Sequence, residues 1–368
     1  MVIKMTQYEL TKYNIGQNLD DLMNLDPRGY GVCRILYKAS KDYSKYPTSM
    51  NFAQKLLSAI KGNNSNNTIF IISGFILPPH NKPETDGIIG AAELARTLVL
   101  LGKKPVILCP EKNIPALEAM LPICGLHLYR NIDEFLNIPF SVCAVSFTTD
   151  SEMAHAEAKQ LLDKYTPAAV VSTEAPGANK YGVYHNATGL DVSSEQAKTD
   201  VLFSLAKERK IPNFAIGDLG NEIGMGTLRD YIQKYVPYAA VKNNIGTCNC
   251  QCKGGIMSES SADVVLTATV SDWGMCAVIA AMAWLENNIK LMHSPKLEEE
   301  LIVAASRAGM VNMYGDLTPA IDGQDKGVCS AIVKLMYDTV ESSLSLKETC
   351  KNWFDGVLSL GYFDRGEN

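Results

Sequence analysis

Short apolar runs alternate with helical patterns from the first fifth of the chain into its last third. Continuous β-branched runs such as residues 68–73 and 105–109 are typical of strands buried on both faces. Segments with apolar residues at helical spacing follow them, as at residues 88–101 and 152–165. Strand and helix in regular succession predict parallel βαβ units. We therefore predict an α/β fold with a doubly wound, mostly parallel sheet and helices on both faces.

The first 66 residues follow a different pattern. Helical fragments at residues 19–25 and 52–60 flank a turn-rich cluster at residues 26–31, and a polar loop closes the segment at residues 63–67. The sequence therefore predicts a helical N-terminal lead, residues 1–66, packed on an α/β domain of residues 67–368.

Charge and composition argue against several classes of partner. The chain is 46% hydrophobic and 20% charged, with a net charge of −6. This negative charge disfavours nucleic acid and anionic membranes. The N-terminus lacks the apolar core of a signal peptide. We expect a cytoplasmic protein with no nucleic-acid or membrane partner, in which the ten cysteines are reduced thiols.

One segment is apolar on every side. Residues 275–285 are too few to span a bilayer but predict a helix that is buried all round. Such a helix lies either in the core of the subunit or in the interface of a homodimer.

A glycine-rich loop, Gly-Asp-Leu-Gly-Asn-Glu-Ile-Gly-Met-Gly, occupies residues 217–226 between a predicted strand and a predicted helix. Its glycines allow the backbone to approach a ligand, and a helix start offers free N–H groups to an anion. The loop lacks the lysine of a P-loop and the spacing of a dinucleotide fingerprint, so no nucleotide cofactor is expected. A tight turn with solvated acids is the alternative interpretation.

Acidic residues follow several predicted strands at the point where each strand ends. In parallel sheets these ends share one edge, which is where ligands bind. So many carboxylates in one cleft repel each other unless a metal ion or a cationic substrate lies among them. The alternative is that individual acids only cap helices. The acids in question are Glu84, Asp86, Glu174, Asp218, Glu222 and Asp272.

Histidine and cysteine residues offer further candidates. His185 lies in the long polar loop after residues 168–172, with polar neighbours, and is a candidate acid, base or ligand. Three cysteines alternate as Cys248, Cys250 and Cys252. In an extended chain their sulfurs lie roughly 6.5–7 Å apart, too far to share one zinc ion without a turn. No histidine follows nearby, so reduced thiols are the default expectation.

At these residues the chain resembles a known family, the C-terminal domain of D-glutamate cyclase and its stand-alone bacterial relatives. The resemblance rests on ordered blocks across most of the chain. Asp272 stands where the family pattern leads us to expect Asn. The animal-type enzymes carry a further N-terminal domain and a mitochondrial leader, and we expect the family domain to stand alone here. The blocks are Glu84-Thr-Asp-Gly87, Glu174-Ala-Pro-Gly177, Tyr184-His-Asn186, residues 217–226, Val270-Ser-Asp-Trp-Gly274, residues 26–31 and Ile321-Asp-Gly323.

The resemblance implies a lyase that interconverts D-glutamate and 5-oxo-D-proline by lactam formation, with a small acidic amino acid as substrate. Catalytic candidates are Glu174, His185 and Asp218. Candidate metal ligands for Mg²⁺ or Mn²⁺ are Asp86, Asp218 and Glu222. Candidate substrate-binding residues are Glu84, Thr85, Asp86, Gly87, Asn186, Gly220, Asn221 and Gly224. Alternatives are a non-catalytic regulatory module that binds a metal or a small molecule, and another metal-dependent enzyme acting on a small acidic metabolite.

Overall fold

A computed structural model describes residues 6–62, 67–239, 250–346 and 348–361. Seven parallel strands form the central sheet, in the order β5-β6-β4-β1-β7-β8-β9. The predicted α/β fold with a helical N-terminal lead is therefore confirmed. The sheet strands are β1 Thr68–Ser73, β4 Lys104–Cys109, β5 His127–Tyr129, β6 Ser141–Ser146, β7 Ala169–Thr173, β8 Asn213–Gly217 and β9 Val264–Thr267.

Helices surround the sheet, and two short hairpins complete the described fold. The hairpins pair β2 Ile76–Leu77 with β3 Lys82–Pro83, and β10 Ala320–Ile321 with β11 Gln324–Asp325. The helices are α1 Gln7–Met23, α2 Val32–Ser44, α3 Thr48–Gly62, α4 Ile88–Leu100, α5 Ile114–Met120, α6 Ile132–Phe135, α7 Ser151–Tyr165, α8 Thr199–Glu208, α9 Arg229–Tyr235, α10 Ser271–Leu285, α11 Pro295–Arg307, α12 Lys326–Leu344 and α13 Glu348–Ser359.

The two faces of the sheet belong to two separate hydrophobic clusters. Along β1, Ile69 and Ile71 pack into one cluster, whereas Phe70 and Ile72 pack into the other. Successive side chains of a strand point to opposite faces, and all six residues of β1 are buried. This explains why the strands are continuous apolar runs rather than alternating ones.

Helix α10 forms the centre of the larger cluster. Every residue from Ser271 to Trp284 is buried, and α10 packs against α1, α3, α4 and α12. Residues 275–284 thus lie in the core of the subunit, while a homodimer stays a prediction. The N-terminal helices pack on the sheet domain through α10 and β9, but the predicted division at residue 66 falls at residues outside the described part of the chain.

The order of strands places a switch point beside β1. The chain proceeds from β1 to β4 on one side and later returns to β7 on the other. The connections after β1 and β7 therefore diverge and leave a crevice at the carboxyl ends of these strands. Among the described residues, no helix has both the length and the apolar character needed to cross a membrane.

Candidate functional site

A compact pocket lies at this crevice, and carboxyl groups dominate its polar lining. Its volume is about 150 Å³, smaller than the roughly 300–1,000 Å³ of sites for drug-sized ligands. This acidic pocket therefore suits a small metabolite. Its lining residues are Arg28, Phe75, Leu77, Glu84, Asp86, Glu174, Asn186, Ala187, Thr188, Asp218, Leu219, Asn221, Met313 and Asp322.

Two aspartates cap each other's helices at the floor of the acidic pocket. Asp86 precedes α4, yet its carboxylate accepts hydrogen bonds from the backbone N–H groups of Ser271 (3.1 Å) and Asp272 (2.9 Å) at the start of α10. Asp272 in turn accepts from the N–H groups of Gly87 and Gly90 at the start of α4, both at 2.9 Å. Carboxylates at helix N-termini satisfy free donors and complement the helix dipole. These reciprocal caps fix the two helix starts to each other.

Glu174 is held in an unusual backbone conformation directly after β7. Its φ is +40°, a left-handed value that non-glycine residues seldom adopt. Gly87 makes room for it, because a Cβ at Gly87 would lie 2.4 Å from the Cβ of Glu174. The Glu174 carboxylate accepts a hydrogen bond from the Ser271 hydroxyl at 2.7 Å. Strained residues of this kind concentrate at functional sites.

The glycine-rich loop does not offer an open anion nest. The carboxylate of Glu222 folds back and accepts from the N–H groups of Asp218 (3.1 Å), Leu219 (3.0 Å) and Gly220 (2.7 Å). The N–H of Gly224 donates to the hydroxyl of Ser260 at 2.8 Å. The loop donors that the sequence suggested for a substrate anion are thus already engaged within the protein.

Three carboxyl groups meet where the loop faces β7. One ligand atom each from Glu174, Asp218 and Glu222 lies within 4.8 Å of the other two. All three residues are buried. Oxygen donors at this spacing fit Mg²⁺ or Mn²⁺. We call these three residues the cation group. The carboxylate of Asp86, the other predicted metal ligand, accepts N–H groups at the start of α10 and is not one of the three.

Burial dominates the electrostatics of the acidic pocket. It raises the pKa values of Glu84, Glu174 and Asp218 well above their usual range, and repulsion from neighbouring carboxylates adds to the effect. For Asp86, burial raises the pKa to about 7, although the backbone N–H groups act in the opposite direction. Burial also raises the pKa of Asp272 well above its usual range. Uptake of a cation would relieve this repulsion.

One ion pair closes the pocket from outside the βα units. Arg28 lies 2.6 Å from Asp322 and donates a second hydrogen bond to the carbonyl of Thr269 at 2.9 Å. Asp322 stands at the tip of the β10–β11 hairpin with a φ of +48°. Burial raises its pKa to about 6, against the effect of Arg28. Neither residue was among the predicted site residues, although both fall in blocks that carry the family resemblance.

The polar loop between β7 and α8 contributes Asn186 to the lining of the acidic pocket, but not the side chain of His185. Asn186 lines the acidic pocket, whereas His185 is not among the lining residues. The imidazole Nε2 of His185 lies 3.7 Å from the sulfur of Cys250 and 3.8 Å from that of Cys252. Burial lowers the pKa of His185. Cys248, the third cysteine of the run, lies outside the described residues.

Three other predicted substrate-binding residues, and Asn221 in part, make contacts that hold the fold together. Thr85 is buried and donates its hydroxyl to the carbonyl of Ala320 at 2.8 Å. Gly220 and Gly224 allow close packing, because a Cβ would meet the side chain of Ile232 at 2.7 Å or that of Ala215 at 2.3 Å. Asn221 lines the pocket and donates its amide to the carbonyl of His185 at 3.1 Å.

A second group of buried ionisable residues lies apart from the pocket lining. His293 Nε2 is 3.0 Å from a carboxylate oxygen of Glu93 and 3.0 Å from one of Glu298. The two carboxylates raise the pKa of His293 to about 10 despite its burial, while burial raises that of Glu298 to about 8. We call these residues the core triad. The imidazole of His293 thus stands between the two buried carboxyl groups as a counter-group supplied by the protein.

Comparison with protein families identifies the family of this chain. The family described as "D-glutamate cyclase-like, C-terminal" matches residues 19–336. The chain belongs to this family. The matched region contains all the residues that line the acidic pocket.

Two further comparisons concern individual proteins, a curated relative and a solved structure. Human mitochondrial D-glutamate cyclase is 25% identical over 320 residues, which cover 84% of this chain and 45% of the human protein. The chain thus spans about half the length of that relative. The crystal structure of the E. coli tRNA N6-threonylcarbamoyladenosine dehydratase in complex with ATP covers 68% of this chain and 93% of its own, at 14% identity and a TM-score of 0.25. So low a score carries no argument about fold or function.

Proposed function

We propose that this chain is a D-glutamate cyclase-like lyase that interconverts D-glutamate and 5-oxo-D-proline in the acidic pocket. Membership of the family supports the class of reaction, and the small volume of the pocket supports a substrate of this size. The observation that carries the proposal is the convergence of buried acids on a pocket whose only cationic lining residue, within the described part of the chain, is Arg28. Such a site needs a cationic ligand.

Glu174, Asp218 and Glu222 would hold a divalent cation. When bound, this cation would neutralise the negative charge of the substrate γ-carboxylate and so make its carbon a better electrophile. The protein groups fit this role, because three oxygen donors lie within 4.8 Å of one another and repel each other without a cation. The N–H groups that hold Glu222 would orient its carboxylate toward the other two.

Arg28 would receive the second carboxylate of the substrate. Its guanidinium lines the acidic pocket, and its contacts with Asp322 and the Thr269 carbonyl fix its orientation. An arginine held in place from two sides binds a planar carboxylate with little further ordering. The substrate would then span the pocket from Arg28 to the cation group and be held in a folded, ring-like shape, which supplies part of the rate acceleration.

Glu84 is the best placed group to move protons. It lines the pocket, and no hydrogen bond to its carboxyl is found within the described residues. Lactam formation joins the amine nitrogen to the γ-carbon and expels one carboxylate oxygen as water. The two protons that the ammonium loses are the two that this oxygen gains. A carboxyl with a raised pKa can take up and return each of them in turn.

The decisive experiment incubates the purified chain with D-glutamate or 5-oxo-D-proline and follows both compounds by chiral chromatography. Parallel samples contain EDTA, or EDTA followed by excess Mn²⁺ or Mg²⁺. We expect interconversion that EDTA abolishes and the metal ion restores. Full activity in EDTA would support the alternative in which the acids bind the substrate ammonium directly. No turnover under any condition, together with stoichiometric cation binding, would support a non-catalytic module.

Two variants separate the proposed roles of the acids. Glu174→Gln is expected to lose both the bound cation and turnover, whereas Glu84→Gln is expected to retain the cation and lose turnover. Glu174 is also one of the catalytic candidates that the family resemblance implies, so proton transfer by Glu174 is the alternative to proton transfer by Glu84. Retention of the cation by Glu174→Gln would return that role to Glu174 and remove it from the cation group.

A further inference from the structure

A cluster of side chains that could hold a metal ion lies outside the lining of the acidic pocket. One ligand atom each from His185, Cys250 and Cys252 lies within 4.8 Å of the other two. His185 is fully buried, while Cys250 is exposed and Cys252 is half-buried. The histidine comes from the loop after β7, and the cysteines come from a turn about 65 residues further along the chain. We call these residues the thiol–imidazole cluster.

The two distances from the imidazole to the sulfurs match those between ligands of one tetrahedral metal ion. With Zn–N near 2.0–2.1 Å and Zn–S near 2.3 Å, two tetrahedral ligands lie about 3.6 Å apart. The observed separations from His185 Nε2 are 3.7 Å to the sulfur of Cys250 and 3.8 Å to that of Cys252. The thiol of Cys250 also lies within hydrogen-bonding reach of the carboxylate of Asp191.

The backbone around Cys252 is already arranged for a thiolate. The N–H of Gly254 points at its sulfur from 3.4 Å, and the side-chain amide of Asn179 points at it from 3.3 Å. Asn179 is 3% exposed and also donates to the carbonyl of Gly255 at 2.8 Å. N–H donors directed at a sulfur favour its anionic form, which is the form that binds metal. This observation is independent of the distances to His185.

The same turn removes the objection raised by the sequence. An extended Cys-x-Cys segment would separate its sulfurs too widely, but Gln251 and Lys253 both have left-handed φ values, +56° and +58°. The chain therefore turns between and after the two cysteines and directs both sulfurs to the imidazole. A histidine distant in sequence completes the group.

From this geometry we propose that His185, Cys250 and Cys252 form a zinc site that fastens the turn at residues 250–255 to the loop after β7. A ligand outside these three residues completes the tetrahedron. The site is expected to set the wall of the acidic pocket, because the carbonyl of His185 accepts from Asn221 and the next residue, Asn186, lines the pocket. This proposal does not depend on the reaction proposed above.

Metal analysis of the purified full chain tests the site. The protein is kept reduced, equilibrated with Zn²⁺ and passed through a desalting column. In an Asp218→Asn background, which removes a ligand of the cation group, we expect one zinc ion per chain that survives Cys350→Ser but is lost with His185→Ala and with Cys252→Ser. Cys350 is an exposed thiol on α13 and serves as the matched control. Zinc bound equally by Asp218→Asn with and without Cys252→Ser, or by neither, would overturn the proposal.

A second measurement needs no variant and remains decisive if a variant fails to fold. Wild-type chain is alkylated with iodoacetamide with and without Zn²⁺, and the modified cysteines are identified by peptide mass spectrometry. Zinc is expected to slow modification of Cys250 and Cys252 at least about tenfold and to leave Cys350 unchanged, because a coordinated thiolate is withdrawn from attack. Equal rates with and without zinc would contradict a site at these residues.

Discussion

The acidic pocket and the core triad both bury several carboxyl groups, but they solve the resulting electrostatic problem differently. In the core triad, His293 lies 3.0 Å from each of two carboxylates, so the counter-ion is built into the fold. In the acidic pocket, Arg28 pairs with Asp322, and the cation group contains no positive side chain. A buried charge without a partner is costly. The comparison teaches that the triad carries its own positive partner, whereas the cation group has none, and this difference underlies the proposal that the pocket binds a cation.

Removal of the built-in counter-ion should have the largest effect. We expect His293→Ala to lower the free energy of unfolding by about 3–5 kcal/mol, because it leaves Glu93 and Glu298 buried without a positive partner. Urea unfolding at neutral pH measures the loss. Adding Glu93→Gln to this variant should recover part of it. A loss near the ~1 kcal/mol of an exposed ion pair would show that the triad is not a buried ion pair.

Asp218→Asn should affect turnover strongly and stability little, the reverse of His293→Ala. The variant is expected to lose turnover by at least about 10²-fold, as when a transition-state charge loses its stabilising partner, while its stability in EDTA stays equal to wild type or rises. Stability is not expected to fall because the substitution removes one of several mutually repelling acids. Steady-state kinetics and thermal unfolding in EDTA give the two values. A strongly destabilised variant with normal turnover would make Asp218 a structural residue.

The pH dependence of stability should separate the two regions. Burial raises the pKa values of Asp86 to about 7 and of Asp322 to about 6, from an ordinary value near 3.8. Groups with raised pKa values contribute stability that is complete below pH ~4 and is lost as the pH rises through ~6–7. The metal-free chain should therefore lose stability over this range. In the core triad, burial raises the pKa of Glu298 to about 8, and the two carboxylates raise that of His293 to about 10 against the effect of burial, so its contribution to stability is lost only as the pH rises through these higher values.

Added Mn²⁺ should reverse only the part of this loss that arises in the pocket. Its stabilising effect is expected to be small near pH 5, where protons compete for the acids, and to approach about 2.7 kcal/mol near pH 8 at a hundredfold excess over the dissociation constant. Thermal unfolding with Mn²⁺ or EDTA across the pH range checks this. Asp218→Asn is the control and should show no Mn²⁺ effect. An Mn²⁺ effect of equal size at pH 5 and pH 8 would show that the ion does not bind to the carboxyl groups of the pocket.

The smallest effect is expected at Asp272. One of its oxygens accepts two backbone N–H groups, its other oxygen has no hydrogen-bond partner within the described residues, and burial favours its protonated form. Asn supplies the same acceptor without a charge, so Asp272→Asn should change the free energy of unfolding by less than about 1 kcal/mol.

The matched variant at the other cap is Asp86→Asn. Both oxygens of Asp86 accept N–H groups, and an amide would direct donor against donor at one of them. We expect this variant to lose about 0.5–2 kcal/mol as a lost helix cap. Chemical denaturation of Asp272→Asn and Asp86→Asn measures the two losses in the free energy of unfolding. Equal losses would mean that the two helix caps are equivalent.

The sequence predicted the sheet well because its strands are buried on both faces and therefore read as uninterrupted apolar runs. It did not predict α2, which begins at Val32 after a glycine without a side-chain cap and directly follows a turn-rich cluster. The local signals at that point indicate a turn, and contacts with β9 and α9 select the helix instead.

The acids after β1, β7 and β8 could be placed in one pocket because parallel strands share a carboxyl edge. Arg28 and Asp322 could not, since they lie outside the βα units and reach the pocket only through tertiary packing. His185 was assigned by loop position alone. The direction of its imidazole depends on a turn about 65 residues away, and spacing along the chain carries no information about that turn.

The contact between Gly87 and Glu174 has a consequence for how this family can diverge. A methyl group at position 87 would stand 2.4 Å from the Glu174 side chain, and both residues adopt left-handed backbone angles. Gly87 therefore cannot change while a residue with a Cβ stands at position 174, although 87 residues separate the two positions in the chain. Homologues that replace this glycine should be found only where position 174 has itself become glycine, and such a paired exchange would remove the Glu174 carboxylate from the pocket.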